Sequence, residues 1–290
     1  MKSLVIIIGA PRSGTNMLRD MLTKLDSVKT WPCDEINYIW RHGNVFYSHD
    51  QFSPEMATNK VKKYLNQEFR RFSEISNADI VIEKTCANSL RVDFVNEVFP
   101  NAKFIYIERD GGDVIGSAKL RWTSKLDVKY ILKKVRFVPK TDLPFYALRY
   151  LSHRVYKLFS KEKRLGSWGP VLHDMDQVVR DNSLMGTCAI QWSRCVTEAR
   201  SAFDKIDDRR VFRVKYEDFV NNTEEEFRRL ANFIGKEVSE RQLEVVCSQV
   251  STGSVGKGRS QIDKSEHRLI NEKVGSVLRI CGYPLIGDEK

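Results

Sequence analysis

Arg12, Ser13, Thr15 and Asn16 lie between and just beyond two glycines, Gly9 and Gly14, in the segment LVIIIGAPRSGTNML. The glycines have the G-x4-G spacing of a P-loop, in which backbone N–H groups and a helix N-terminus cradle a phosphate. The Lys that follows the second Gly of a P-loop is absent. Thr15 takes its place, and Arg12 brings a cation inside the turn. Such a loop keeps the anion-binding backbone without the usual γ-phosphate ligand, and suits a phosphate or a sulfate. A second set follows the run FIYIE, where Arg109 is succeeded by DGGD and, eight residues on, by Ser117. An Arg at the carboxyl end of a strand, followed by that hydroxyl, can hold a second phosphate at the edge of the same crevice. Two anion sites on one sheet suggest a ligand with two separated phosphate groups.

These side chains need a sheet to carry them. Leu4 to Ile8 is a continuous, β-branched run, as expected of a strand covered on both faces. Leu18, Met21, Leu22 and Leu25 recur at i, i+3, i+4 and i+7, so a helix beginning near Thr15 has one apolar face for the sheet. Further strands are expected at Ile80 to Ile82, Phe104 to Ile107 and Val211 to Val214, separated by helical patterns. That alternation predicts an α/β fold, a P-loop-like parallel sheet flanked by helices. Leu90, Phe94 and Val98 fit a helix that stops at Pro100, and Met185 to about Ile206 reads as a long amphipathic helix. Cys188 and Cys195 share a face of the latter, as core packing requires. Thr223 and Glu226 have capping-box spacing ahead of Phe227, Leu230 and Ile234.

The stretch from Lys119 to Arg164 differs in kind. It holds fourteen Lys or Arg against three acids, interleaved with Trp122, Tyr130, Phe137, Phe145, Tyr146, Tyr150, Tyr156 and Phe159. It reads as a helical insertion, residues 119–185, that builds the acceptor side of the site, with aromatic faces for sugar or base and cations for acidic groups. Aromatics buried in a helical pair would give the same pattern.

A chain of 290 residues, 41% hydrophobic, can form one large domain, residues 1–290. The net charge of +10 points to an anionic partner, whether nucleotide, polyanionic glycan, nucleic acid or membrane surface. Cys33, Cys86, Cys188, Cys195, Cys247 and Cys281 show no C-x-x-C pair and no metal spacing with the five His, which argues against zinc and against a disulfide framework. Thiols in a reducing compartment fit better. The first apolar run ends after five residues and no run of 18 apolar residues occurs, so neither a signal peptide nor a membrane span is expected. The expectation is a cytoplasmic protein, with peripheral membrane contact through basic residues left open.

The loop PRSGTNML, the element YIERDGGDVIGS and the later VKYEDFV together resemble sulfotransferases that use 3′-phosphoadenosine 5′-phosphosulfate (PAPS), with matching order and spacing from residue 4 to about 260. With Arg12 where the cytosolic small-molecule branch has Lys, the loop is more similar to the branch of tyrosylprotein sulfotransferases and many bacterial enzymes. The basic-aromatic stretch looks like that of bacterial enzymes acting on surface glycans. The resemblance implies that Arg12, Ser13, Gly14, Thr15 and Asn16 hold the 5′-phosphosulfate, Arg109 and Ser117 the 3′-phosphate, and that Tyr216 lies near adenine. It implies that Ser254, Lys257, Gly258 and Arg259, in STGSVGKGRSQ, belong to a segment closing over the 3′-phosphate. Arg12 would stabilise the transferring group, Lys84 the leaving phosphate, and Glu35 would act as base, with Asp34 and His42, His49, His153 or His173 as competitors. The product would be 3′-phosphoadenosine 5′-phosphate (PAP), no metal would be required, and the acceptor would be a carbohydrate or glycolipid. Two rival classes remain: a Mg²⁺-dependent P-loop kinase or NTPase, for which Glu83 and Glu108 are weak metal candidates, and a basic anion-binding module without activity. No named nucleic-acid motif is present.

Overall fold

A computed structural model describes residues 2–123, 135–146, 148 and 168–288. The chain runs β1 (Ser3–Ile8), α1 (Thr15–Leu22), β2 (Val28–Lys29), α2 (Asn37–Trp40), α3 (Asn59–Ser76), β3 (Ile80–Lys84), α4 (Val92–Val98), β4 (Lys103–Glu108) and α5 (Gly111–Trp122). It continues with α6 (Met175–Asp181), α7 (Leu184–Phe203), β5 (Val211–Lys215), α8 (Tyr216–Asn221), α9 (Thr223–Ile234), α10 (Glu240–Cys247) and α11 (Lys264–Ile280). The five strands form one parallel sheet in the order β2-β3-β1-β4-β5. The expected α/β architecture is therefore present, with β2 as an edge strand too short to register as a pattern.

Alternation along β1 explains its unbroken hydrophobicity. Leu4, Ile6 and Ile8 face a core made with α3, α4 and the end of α7, while Val5 and Ile7 face another made with α1, α8 and α9. A third core joins α5, α7 and α11, and α7 spans it and the first: Cys188 and Cys195 are buried in one, Phe203 in the other. All six cysteines are thiols. Among the described residues no helix is long and apolar enough to cross a membrane.

The sequence pattern missed in two places. Leu90 belongs to a 3₁₀ turn, and the α-helix starts two residues later at Val92. The capping box expected at Thr223 and Glu226 does not form, because only Asn222 separates α8 from α9. Thr223 is already helical, and its hydroxyl donates back to the carbonyls of Phe219 and Val220. A capping box does form on α10, between Ser239 and Gln242. Of the basic-aromatic insertion, the described part contains a 3₁₀ turn at Lys140–Asp142 followed by helical residues 143–146. Tyr130, Tyr150, His153, Tyr156 and Phe159 lie outside the described residues.

Candidate active site

In the strand order, β1 is flanked by β3 on one side and β4 on the other, so its carboxyl end is a switch point where connections leave in opposite directions. Three cations meet this crevice from three adjacent strand ends. Arg12 lies in the turn after β1, Lys84 is the last residue of β3, and Arg109 follows β4.

The turn after β1 is shaped by close approaches. A Cβ on Gly9 would come within 2.8 Å of the Ile107 carbonyl, and one on Gly14 within 2.5 Å of the Tyr216 ring. Gly14 has φ of 91° and precedes α1, whose N-terminus has neither a side-chain cap nor an acidic residue in its first turn. The first-turn N–H groups, including those of Thr15 and Asn16, therefore lack an intrahelical acceptor and carry the positive end of the dipole. Arg12 has φ of 73°, rare for a residue with a side chain. Partial desolvation of the guanidinium, and then Arg121 and Arg109, hold its pKa below the usual value, a sign of crowded positive charge. Ser13 is buried, Arg12 and Asn16 are exposed, and the Thr15 hydroxyl contacts Cys86 Sγ at 3.7 Å.

The two half-sites abut. Arg12 Nε donates to Ser117 Oγ at 2.9 Å, and Arg109 donates to the Arg12 carbonyl at 3.2 Å. Arg109 also lies over the Tyr216 ring, 4.1 Å from its centroid, and donates to the Ser254 carbonyl at 2.6 Å. Tyr216 OH and Ser254 Oγ share a 2.5 Å hydrogen bond. Arg109 Nε is buried without a hydrogen-bond partner among the described residues.

Sequence reasoning missed what fixes this arm. The Asp113 carboxylate, fully buried, accepts from the backbone N–H groups of Gly256 (2.7 Å), Gly258 (2.8 Å) and Arg259 (3.2 Å), and from Arg109 at 3.4 Å. Gly116 and Gly258 meet so closely that a Cβ on Gly116 would lie 2.0 Å from the Gly258 carbonyl. The Gly-rich segment thus sits directly on the backbone of α5. Arg259 is committed to that seating: its Nε binds Asp110 at 2.9 Å, and its other nitrogens donate to the carbonyls of Pro284 and Leu285. In this conformation its guanidinium is not turned to a ligand, whereas Lys257 is exposed. The signal was the DGGD run itself, since Asp110 also caps α5 by accepting from Gly112 and Asp113 N–H.

On the β3 side, Lys84 Nζ donates to Glu35 Oε1 at 3.2 Å, and the Cys86 N–H donates to the same oxygen at 3.2 Å. Burial would depress the Lys84 pKa, but the Glu35 carboxylate together with Cys86 holds it above the ordinary value. Asp34, the neighbouring competitor, turns instead to Arg19 at 3.4 Å. His42 contacts Asp142 at 2.9 Å, and His173 contacts Gln51. Burial, together with His173 and Arg41, lowers the His49 pKa.

Glu35 rests on a buried polar lattice. Ile36 N–H donates to Thr85 Oγ1, Thr85 donates to Glu83 at 2.6 Å, and Asn88 donates to the other Glu83 oxygen at 3.0 Å. Arg91 donates to Asn88 and Asn37, and Asp50 accepts from Arg41, Asn37 and Val171 N–H. Burial opposes the Asp50 charge, yet Arg91 and Arg41 keep its pKa below the usual carboxylate value. Glu83 and Glu108, the weak metal candidates, are both engaged: Glu83 as above, and Glu108 with Arg200 at 2.7 Å and Tyr106 at 2.8 Å.

A model of the sulfotransferase family matches residues 5–166 and 153–240. No functionally curated protein sequence matches the chain. Among solved structures, the sulfotransferase domain from the curacin biosynthetic pathway is 12% identical with a TM-score of 0.60, over 98% of this chain and 99% of that one. The sulfotransferase domain of the Synechococcus PCC 7002 olefin synthase is 14% identical with a TM-score of 0.56, over 98% and 95%. A mouse sulfotransferase complexed with PAP is 12% identical with a TM-score of 0.51, over 96% and 85%.

Proposed function

The chain belongs to the sulfotransferase family, and on that premise we propose that it transfers a sulfuryl group from PAPS to a hydroxyl of a carbohydrate, on a surface glycan or a glycolipid. The observation that carries this reading is the convergence of Arg12, Lys84 and Arg109 at the carboxyl ends of three adjacent parallel strands. Ser13, Gly14, Thr15 and Asn16 take the 5′-phosphosulfate on the backbone of the turn and on α1. Arg109, Ser117 and the segment Ser254 to Arg259 take the 3′-phosphate, with Arg259 contributing by anchoring the segment to Asp110 and Asp113. Tyr216 stands beneath Arg109 on the nucleotide side. The PRSGT loop favours the branch that includes tyrosylprotein sulfotransferases and bacterial enzymes.

In the reaction the acceptor oxygen bonds to sulfur as the bond from sulfur to the 5′-phosphate oxygen breaks, and the electron pair leaves on PAP. Glu35 takes the acceptor proton, while Lys84 and Arg12 neutralise charge developing on the departing phosphate. Little covalent work falls to the protein; alignment and charge do most of it. No metal is required on this reading. The residues 119–185 form the acceptor side of a single domain, and cysteines kept as thiols support a cytoplasmic setting.

Replacing Arg109 by Ala tests the donor. The variant should bind PAP at least about tenfold more weakly, with a much smaller loss for its 3′-dephospho counterpart, measured by calorimetry. Equal losses for the two would sink the second anion site.

A further inference from the structure

We propose that the acceptor side of the molecule docks on an anionic lipid bilayer through the loop 41–49 and residues 135–146 and 148; the inference rests on the glycolipid reading above for its purpose, though not for its test. Phe46 is 85% exposed and Leu148 is 70% exposed, whereas the other phenylalanines among the described residues are wholly or partly buried. They form one patch: Phe46 packs edge-on against Phe145 at 5.4 Å, Leu148 stands three residues beyond Phe145, and Leu143 and Tyr47 are exposed beside them. Phe145 meets Tyr146, which meets Tyr38 at 4.6 Å, three residues from Glu35. The patch therefore borders the acceptor side.

Charge selects the partner. The loop 41–49 has no acid, and the described part of 135–148 has one, Asp142, which is buried against His42. Arg136 and Lys140 on that segment are exposed. The start of α3 flanks the loop, since a Cβ on Gly43 would touch Val61 at 2.7 Å and His42 stacks on Tyr64 at 3.8 Å, and it adds exposed Lys60 and Lys63. Exposed aromatic and aliphatic side chains with four exposed cations on the flanking segments, against the one exposed carboxylate of Glu55 in the turn that Asn44 contacts, suit a bilayer interface, where rings enter the headgroup layer and each cation near an anionic surface adds attraction. A soluble protein partner would more often meet such cations with paired acids.

The test is co-sedimentation with vesicles of phosphatidylcholine alone and of phosphatidylcholine with about a third phosphatidylserine. The wild-type chain should bind the anionic vesicles, lose binding in high salt, and bind the neutral vesicles at least about tenfold less. Phe46→Ser with Leu148→Ser should lose about tenfold in anionic-vesicle binding while keeping its melting temperature and its affinity for PAP, because both side chains are largely solvated. No wild-type binding, equal binding to both vesicles, or undiminished binding by the double variant would overturn the proposal. PAP affinity, measured on the same samples, reports separately on the sulfotransferase reading.

Discussion

Glu35 presents one oxygen to both Lys84 Nζ and the Cys86 N–H, so a single carboxylate atom is fixed by a side chain and by the backbone. That geometry ties the proposed base to the cation proposed for the leaving group. Glu35→Gln should lower turnover by about 10² or more with PAP affinity retained, and near-normal turnover would remove Glu35 from the role. Below it, burial pushes Glu83 up to about 7, against the opposing pull of Thr85 and the nearby cations. Its folded value is raised, so the stability linked to it is full below the ordinary carboxylate range and is lost as pH rises through about 7. Glu83→Gln should therefore unfold with a shallower decline in stability between about pH 5 and 8 than the wild type, whatever constant offset the lost hydrogen bond adds. Denaturant titrations across that range read the slope, and parallel curves would show that Glu83 does not titrate there. Arg12, Arg109 and Ser117 were legible because their types and spacing are chemical. Glu83 and Asp50 were not, since a lone acid in a strand or loop gives no sign of its partners, which for Asp50 come from Asn37 and Arg41, from Arg91 and from Val171.

At the scale of the element, the Gly-rich segment after Ser251 is held on α5 by three backbone N–H groups converging on Asp113 and by the meeting of Gly116 and Gly258. Neither contact involves a side chain of the segment, so sequence periodicity could not reveal it. Gly258→Ala would place a methyl 2.1 Å from the Asp113 carbonyl, and the segment must lift. Trypsin cleavage after exposed Lys257, followed by mass spectrometry, should then quicken several-fold and PAP affinity should fall. Unchanged cleavage would mean that the packing is looser than its geometry. β1, β3 and β4, by contrast, were readable almost to their ends, because each carries an apolar run bounded by turns, whereas the two-residue β2 left no pattern. The failed cap at Thr223 shows the limit: S/T-x-x-E spacing specifies a box only where the chain enters the helix extended, and α8 leaves no room for that.

For the whole molecule, PAP would touch the turn after β1, the end of β4 and the segment after Ser251, stitching the sheet to its C-terminal third. Saturating PAP at about 100 times its Kd should stabilise the fold by about 2.7 kcal/mol, equally with and without EDTA, and a shift that needs Mg²⁺ would favour the kinase reading. Arg12 carries a different consequence. A left-handed residue with a Cβ costs the fold about 1 kcal/mol, and glycine would relieve it. The position therefore sets two selections against each other. A library screened for heat resistance alone should drift to glycine at position 12, while one screened for group transfer should keep arginine and carry the strain forward in every surviving clone.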